Sequence, residues 1–232
     1  GNGKGQLNDG QVFGCEFYPA TETINDVDAV LERLEIEGHF PKEAAGDIKQ
    51  KIMAVVNHPK LKDLFVENLQ ILNEQEILTT DGLSLRPDRI VISENEATII
   101  DYKTGKVEVG EVTFFNWDEL SETNKKAKAF QLLMYAYLYL EKHPQYLDRK
   151  VIAGNFSFKN LKEGLICVSR NKTNKDGKKS NSKEALLIDK NVLQEFEQQL
   201  ISILEKIQTE DFSQVEDIKA CEWCDYKLIC KR

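Results

Sequence analysis

Leu85-Arg86-Pro87-Asp88-Arg89-Ile90-Val91-Ile92-Ser93-Glu94-Asn95-Glu96-Ala97-Thr98-Ile99-Ile100-Asp101-Tyr102-Lys103-Thr104-Gly105 holds two apolar runs around a polar break. The runs, Ile90 to Ile92 and Ala97 to Ile100, predict two strands, and Ser93-Glu94-Asn95-Glu96 predicts the turn between them. A two-residue turn at Glu94-Asn95 sets Ile92 opposite Ala97, Ile90 opposite Ile99 and Asp88 opposite Asp101. Directly opposed Cβ atoms lie about 4.5–5.5 Å apart. Asp101 and Lys103, two residues apart, point to the same face of their strand. One sheet face is then apolar near the turn and carries two carboxylates and an ammonium at its far end. Two carboxylates that close repel unless a cation lies between them, and oxygen-only ligands with room for water suit Mg²⁺ or Mn²⁺. The lysine beside them can orient a water and stabilise a phosphate oxygen. The arrangement fits phosphodiester hydrolysis by metal-activated water. The plainer meaning of Asp-x-Lys is an exposed ion pair, but an Asp that ends an apolar run is costly to bury without partners.

On the N-terminal side, Leu69 to Leu78 and Leu83 to Ser93 read as strands split by Thr80-Asp81-Gly82. Before them, Val27, Val30, Leu31 and Leu34 are spaced for a helix starting at Asp26, capped by Asn25 or Asp26, and ending at Gly38. A second helix is expected from Lys42 to Asn57, stopped by Pro59, and a short third one around Leu61, Leu64 and Phe65. On the C-terminal side a long helix is expected over 124–142. It carries Gln131 and Tyr135 four residues apart on one face, where an amide and a phenol can bond a phosphate or nucleotide, or simply belong to the core. Val151 to Phe158 and Gly164 to Ser169 follow as strands, with a short strand over Leu186 to Ile188 and a helix from Val192 to Ile207. Arg170 to Lys183 is polar and basic and reads as an exposed loop, with contact to a DNA backbone as its functional alternative. Helices, a meander of strands, a helix, more strands and a last helix describe α/β (α+β) architecture around one mixed sheet.

The chain has 232 residues, within reach of a single domain, and 41 % of them are hydrophobic. The subdivision expected is an N-terminal segment 1–25, a helical part 26–66, a core 67–210 and a cysteine-containing tail 211–232. A net charge of −8 argues against a protein that coats duplex DNA with its whole surface, though not against a local basic channel. No apolar run reaches the roughly 18 residues of a membrane span, and the start, Gly1-Asn2-Gly3-Lys4-Gly5, lacks the apolar centre of a signal peptide. The missing initiator Met raises the expectation that the chain is part of something longer. Five cysteines, an odd number, speak against a disulfide framework and for a reducing, cytoplasmic setting. Cys221, Cys224 and Cys230 are spaced for a metal or cluster site that needs a fourth ligand, with unligated thiols as the alternative; Cys167, in an apolar run, reads as a core residue.

Taken together, Arg86-Pro87-Asp88-Arg89, Asp101-Tyr102-Lys103-Thr104-Gly105 and the pair Gln131…Tyr135 resemble the PD-(D/E)xK nucleases of the RecB type. Glu76, in Leu72 to Leu78, matches the acidic strand residue that precedes the first motif. The stretch from Asp26 to about Phe158, with Asn57-His58-Pro59, is similar to the C-terminal nuclease domain of UvrD/AddA-like helicase–nucleases. The resemblance implies a restriction-endonuclease-like core. It implies Asp88, Asp101 and the main-chain carbonyl of Tyr102 as metal ligands, with Glu76 joining the catalytic set. Lys103 would position the nucleophile, and Gln131, Tyr135 and Arg89 would contact DNA. It implies an exonuclease acting on single-stranded ends supplied by a helicase domain or subunit, in DNA repair and recombination. The family's early metal-binding His falls at Gly14 here, and His39, His58 and His143 lie elsewhere. That departure supports a rival, a catalytically weak DNA-binding or scaffolding module. The cysteine tail resembles that of AddB-type nucleases, which implies a [4Fe–4S] cluster, or Zn²⁺, closed by Cys15.

Overall fold

The computed structural model of the chain describes residues 27–79, 82, 84–122, 124–173, 179–180, 184–211, 218–222, 224 and 227–230. Contacts divide the chain into two units, 1–197 and 198–232.

The first unit opens with two helices, α1 (Val27–Ile36) and α2 (Ala45–Val56). The apolar positions read from the sequence, Val27, Val30, Leu31 and Leu34 on α1 and Ile48, Ile52, Val55 and Val56 on α2, are all buried. Gly38 ends α1 at a φ of 78°, where His39 N–H reaches Leu34 C=O and Gly38 N–H reaches Glu35 C=O. This is the double bond of a Schellman turn, and a positive φ is what glycine tolerates best.

Behind the helices lies a five-stranded mixed sheet in the order β1-β4-β5-β7-β8. Its strands are β1 (Gln70–Asn73), β4 (Arg89–Ile92), β5 (Glu96–Lys103), β7 (Lys150–Ser157) and β8 (Leu165–Cys167). The hairpin register is the expected one: Ile90 faces Ile99 and Ile92 faces Ala97, with Ser93 N–H donating to Glu96 C=O across the turn. β5 pairs parallel with β7, which places Asn155 beside Asp101.

The two strands expected before the turn are each interrupted. Glu74 adopts φ 47°, and beyond it the chain leaves the sheet to form a two-stranded ribbon of β2 (Ile77–Leu78) and β3 (Ser84–Leu85). It re-enters the sheet after Pro87, which has no N–H to give to a ladder. Asp88 is thus held just before the start of β4, its carbonyl accepting from Glu74 N–H at 2.9 Å.

Between β5 and β7 run two short helices, α3 (Val109–Val112) and α4 (Glu119–Glu122), a short strand β6 (Thr113–Phe114) and the long helix α5 (Ala127–Lys142). Of these only α5 was legible beforehand. The face of the sheet carrying Val91, Ile100 and Phe156 packs on α1 and α2. Residues of β5 alternate faces, so Ala97, Ile99, Asp101 and Lys103 point the other way, towards α5.

The basic stretch is not loop throughout. β9 (Ser169–Arg170) pairs parallel with β6, and β10 (Lys172–Thr173) pairs antiparallel with β11 (Lys179–Ser180). Leu186 to Ile188 is not a strand: Leu186 N–H bonds Val168 C=O and Ile188 N–H bonds Val151 C=O, single bonds to two different partners. The last helix, α6 (Lys190–Thr209), begins at Asp189, whose carboxylate accepts from Val192 N–H at 2.9 Å. Within the first unit, Phe196 is fully buried against Trp117, Phe130 and Tyr137 and seats the start of α6 on α5.

The second unit holds the remainder of α6 and a 3₁₀ turn, Ile218–Cys221. No helix among the described residues is long and apolar enough to cross a membrane.

Candidate active site

Asp101 sits on β5, the middle strand of the sheet, and is only 4 % exposed. Such a carboxylate needs partners. It has two on the same oxygen: the Lys103 ammonium at 2.6 Å and the Asn155 amide at 2.8 Å. Burial still raises the Asp101 carboxyl above its ordinary range, against the opposing pull of Lys103 and Asn155. Asp88 lies across from it, as the hairpin register requires, and accepts Tyr102 N–H at 2.5 Å. Burial, with the charge of Asp101 added, pushes Asp88 up to about 6, although the Tyr102 amide and Lys103 oppose the rise.

Above the pair stands α5. Lys103 donates from the same ammonium to Gln131 Oε1 at 3.0 Å, and Gln131 Nε2 donates to the Tyr135 hydroxyl at 2.9 Å. The i, i+4 spacing on the helix therefore becomes one hydrogen-bonded row running from Asp101 through Lys103 and Gln131 to Tyr135. Burial foremost, and then the charges of Asp101 and Asp88, raise the Tyr135 phenol above its ordinary range.

The segment after Lys103 is clamped from below. Ser157 Oγ donates to Gly105 C=O at 2.8 Å and accepts Val107 N–H at 3.2 Å, and Asn160 donates to Val107 C=O at 2.8 Å. Lys126 reaches Gly110 C=O at 2.5 Å and Thr113 C=O at 2.6 Å, and Lys128 pairs with Glu111. Asn155, Ser157 and Asn160 were missed from sequence. For Asn155 and Ser157 the signal was there: two polar side chains at alternate positions of an apolar strand.

Two residues expected at the site are placed elsewhere. Arg89 was expected to touch DNA. It is fully buried, with its guanidinium 5.2 Å from the Phe65 ring centroid and Nη1 3.4 Å from Asn73 Oδ1. It pairs with Ile100 and so faces α1 and α2, away from the carboxylates. Alternation along β4 and β5 is the reason: a residue next to Asp88 in sequence must point to the opposite face. Glu76 is exposed and accepts from Ser84 Oγ at 2.7 Å, and the neighbouring acid whose charge acts on Asp88 is Glu74.

The histidines have local roles. His39 pairs with Glu37, His58 accepts Lys60 N–H, and His143 lies tilted against the Tyr139 ring. Gly14 and Cys15 lie outside the described residues. Cys221, Cys224 and Cys230 are half-buried, and no group of three or more His, Cys, Asp or Glu side chains gathers as a metal site among the described residues. Cys167 is a half-buried thiol at the end of β8 and not part of the buried core, and its pKa is held well above its ordinary range chiefly by burial.

Asp88 and Asp101 nevertheless suit a hard divalent ion. The donors are oxygen only, and burial raises both proton affinities, with the charge of Asp101 adding to the rise at Asp88, a tension that a cation relieves.

Comparison with known proteins agrees in kind. The family described as the PD-(D/E)XK nuclease superfamily matches residues 19–231, most of the chain. Among curated proteins none matches the sequence significantly.

Proposed function

The chain belongs to the PD-(D/E)XK nuclease superfamily, and we propose that it is a Mg²⁺- or Mn²⁺-dependent DNA exonuclease of the RecB type. One observation carries the proposal: the hairpin register brings Asp88 and Asp101 together at the strand end, with Lys103 on Asp101 at 2.6 Å. Asp88, Asp101 and the Tyr102 carbonyl would hold the ion. A bound Mg²⁺ or Mn²⁺ supplies Lewis acidity towards the phosphate and lowers the pKa of water.

The chain's own groups do the rest. Lys103, 2.6 Å from Asp101, orients the attacking water and balances charge on a phosphate oxygen. Gln131 and Tyr135 line the same place from α5 and hydrogen-bond the DNA. Asn155 keeps Asp101 turned towards the site through a bond made from the buried side of the strand.

The finer parts of the proposal rest on the motif pattern in the sequence: action on single-stranded ends, a helicase in cis or trans, and a role in repair and recombination. The spacing of Cys221, Cys224 and Cys230 likewise supports a tail site for iron–sulfur or zinc, checked by the iron and zinc content of anaerobically isolated protein.

Cleavage of labelled single- and double-stranded DNA tests the core of it. Cleavage in Mg²⁺ or Mn²⁺, none in EDTA, and a loss of at least about 100-fold in Lys103→Ala are expected. A folded protein that binds DNA and cuts nothing in either metal would instead be the scaffolding module that Gly14 favours.

A further inference from the structure

We propose that Tyr135 is a catalytic residue, the proton donor to the nucleoside oxygen that leaves when the phosphodiester is cut. The inference rests on the nuclease reading above and adds a chemical role to one of its residues.

The direction of the hydrogen bonds is the starting point. Lys103 has only protons to give, so Gln131 must present Oε1 to it. The Gln131 amide is thereby oriented, and its Nε2 donates to the Tyr135 oxygen at 2.9 Å. The phenol is an acceptor in that bond. Among the described residues nothing accepts its own proton, although the side chain is 7 % exposed and buried hydroxyls ordinarily use their donors. The Gln131 bond to the phenol oxygen works against burial and the carboxylate charges and so eases release of the proton.

Position supports the same role. Tyr135 is two hydrogen bonds from Lys103 Nζ, and the charges of both Asp101 and Asp88 act on it. Their field and its burial keep the phenol protonated at neutral pH, the state a donor requires.

The step balances without any further reactant. Water that has given a proton to solvent forms the new P–O bond. The bond from phosphorus to the leaving oxygen breaks, and its electron pair stays on that oxygen. The Tyr135 proton moves onto it, giving a neutral alcohol, and the phenolate regains a proton from solvent. A leaving alkoxide is strongly basic, so protonating it as the bond breaks contributes roughly 10²–10⁴-fold.

The test compares wild type with Tyr135→Phe, which removes only the hydroxyl, on three DNAs in Mn²⁺. One is ordinary; the others carry a single sulfur in place of the bridging oxygen, on the 3′ or the 5′ side. A thiolate leaves without protonation. With DNA at saturation, Tyr135→Phe should cut ordinary DNA about 100-fold or more slowly and cut one of the two sulfur-bridged DNAs at nearly the wild-type rate. An equal loss on all three DNAs, a loss explained by affinity, or no loss on ordinary DNA would overturn the role while leaving the nuclease intact. A wild-type protein inert on all three would overturn the nuclease reading and the role with it.

Discussion

Asp88 carries the largest electrostatic cost in the site. Its carboxyl is raised from the ordinary 3.8 to about 6, first by burial and then by Asp101. The folded state therefore holds this proton more tightly than the unfolded chain does. The linked stability is present below about pH 4 and is lost as pH rises through about 6, on the order of 2–3 kcal/mol. Above that pH, metal-free protein should be stabilised by Asp88→Asn, because the amide still accepts Tyr102 N–H and carries no charge. Thermal melts at pH 7.5 in EDTA check this, and a lower melting temperature for the variant would show that the carboxylate is not strained. Mg²⁺ competes with the same proton, so its stabilisation of the wild type should fade as pH falls through about 6 and be absent in Asp88→Asn. The identity of this residue was plain in the sequence. Its cost was not, because burial and the nearness of a second carboxylate are properties of the assembled sheet.

Strand β7 is the element that turns two carboxylates into a site. Its parallel register with β5 sets Asn155 against Asp101 and Ser157 beneath the loop after Lys103. Asn155→Ala leaves Lys103 as the remaining partner on that oxygen. The lost bond to a buried charge should cost about 1.5–3 kcal/mol by urea denaturation and weaken Mn²⁺ binding measured by calorimetry. Unchanged affinity for Mn²⁺ would reduce Asn155 to a packing role. One residue earlier, Gly154 sits where β8 crosses closely: an added Cβ would lie 2.8 Å from Leu165 Cγ and 3.1 Å from Ile166 C=O. Gly154→Ala should destabilise by about 1–3 kcal/mol, with faster amide exchange in β8 as the sign that the strand pair has been pushed apart. The hairpin of β4 and β5 was readable because two apolar runs flank a short polar turn, and a two-residue turn sets the register. The pairing of β5 with β7 was not readable, since 46 residues, the short strand β6 among them, separate Lys103 from Lys150 and no local pattern specifies which strand docks there.

Across the first unit the sheet separates two jobs. One face meets α1 and α2 in an apolar layer that includes fully buried Leu34 and Ile52, and the other face carries the carboxylates under α5. Leu34→Ala should then cost about 2–5 kcal/mol of stability while leaving the cleavage rate per folded molecule unchanged. A fall in that rate, with the circular dichroism of the folded protein intact, would mean that the two faces are coupled through the sheet. Arg89 belongs to this same layer, buried against Phe65, which is why its place beside Asp88 in the chain does not make it a DNA contact.

Local chemistry alone settled several features of this protein. Helical spacing marked α1, α2 and α5, two apolar runs around a polar turn marked the β4–β5 hairpin, and an Asp closing an apolar run two residues before a Lys marked the candidate site. Each depends on neighbours a few residues apart, so each is written in the order of the residues. Other features needed the folded chain: the breaks at Glu74 and Pro87, the burial of Arg89, the support from Asn155, and the row joining Lys103 to Tyr135. They depend on which face of which strand meets which helix. That choice is made by the packing of segments distant in sequence, where burying apolar surface outweighs local preference.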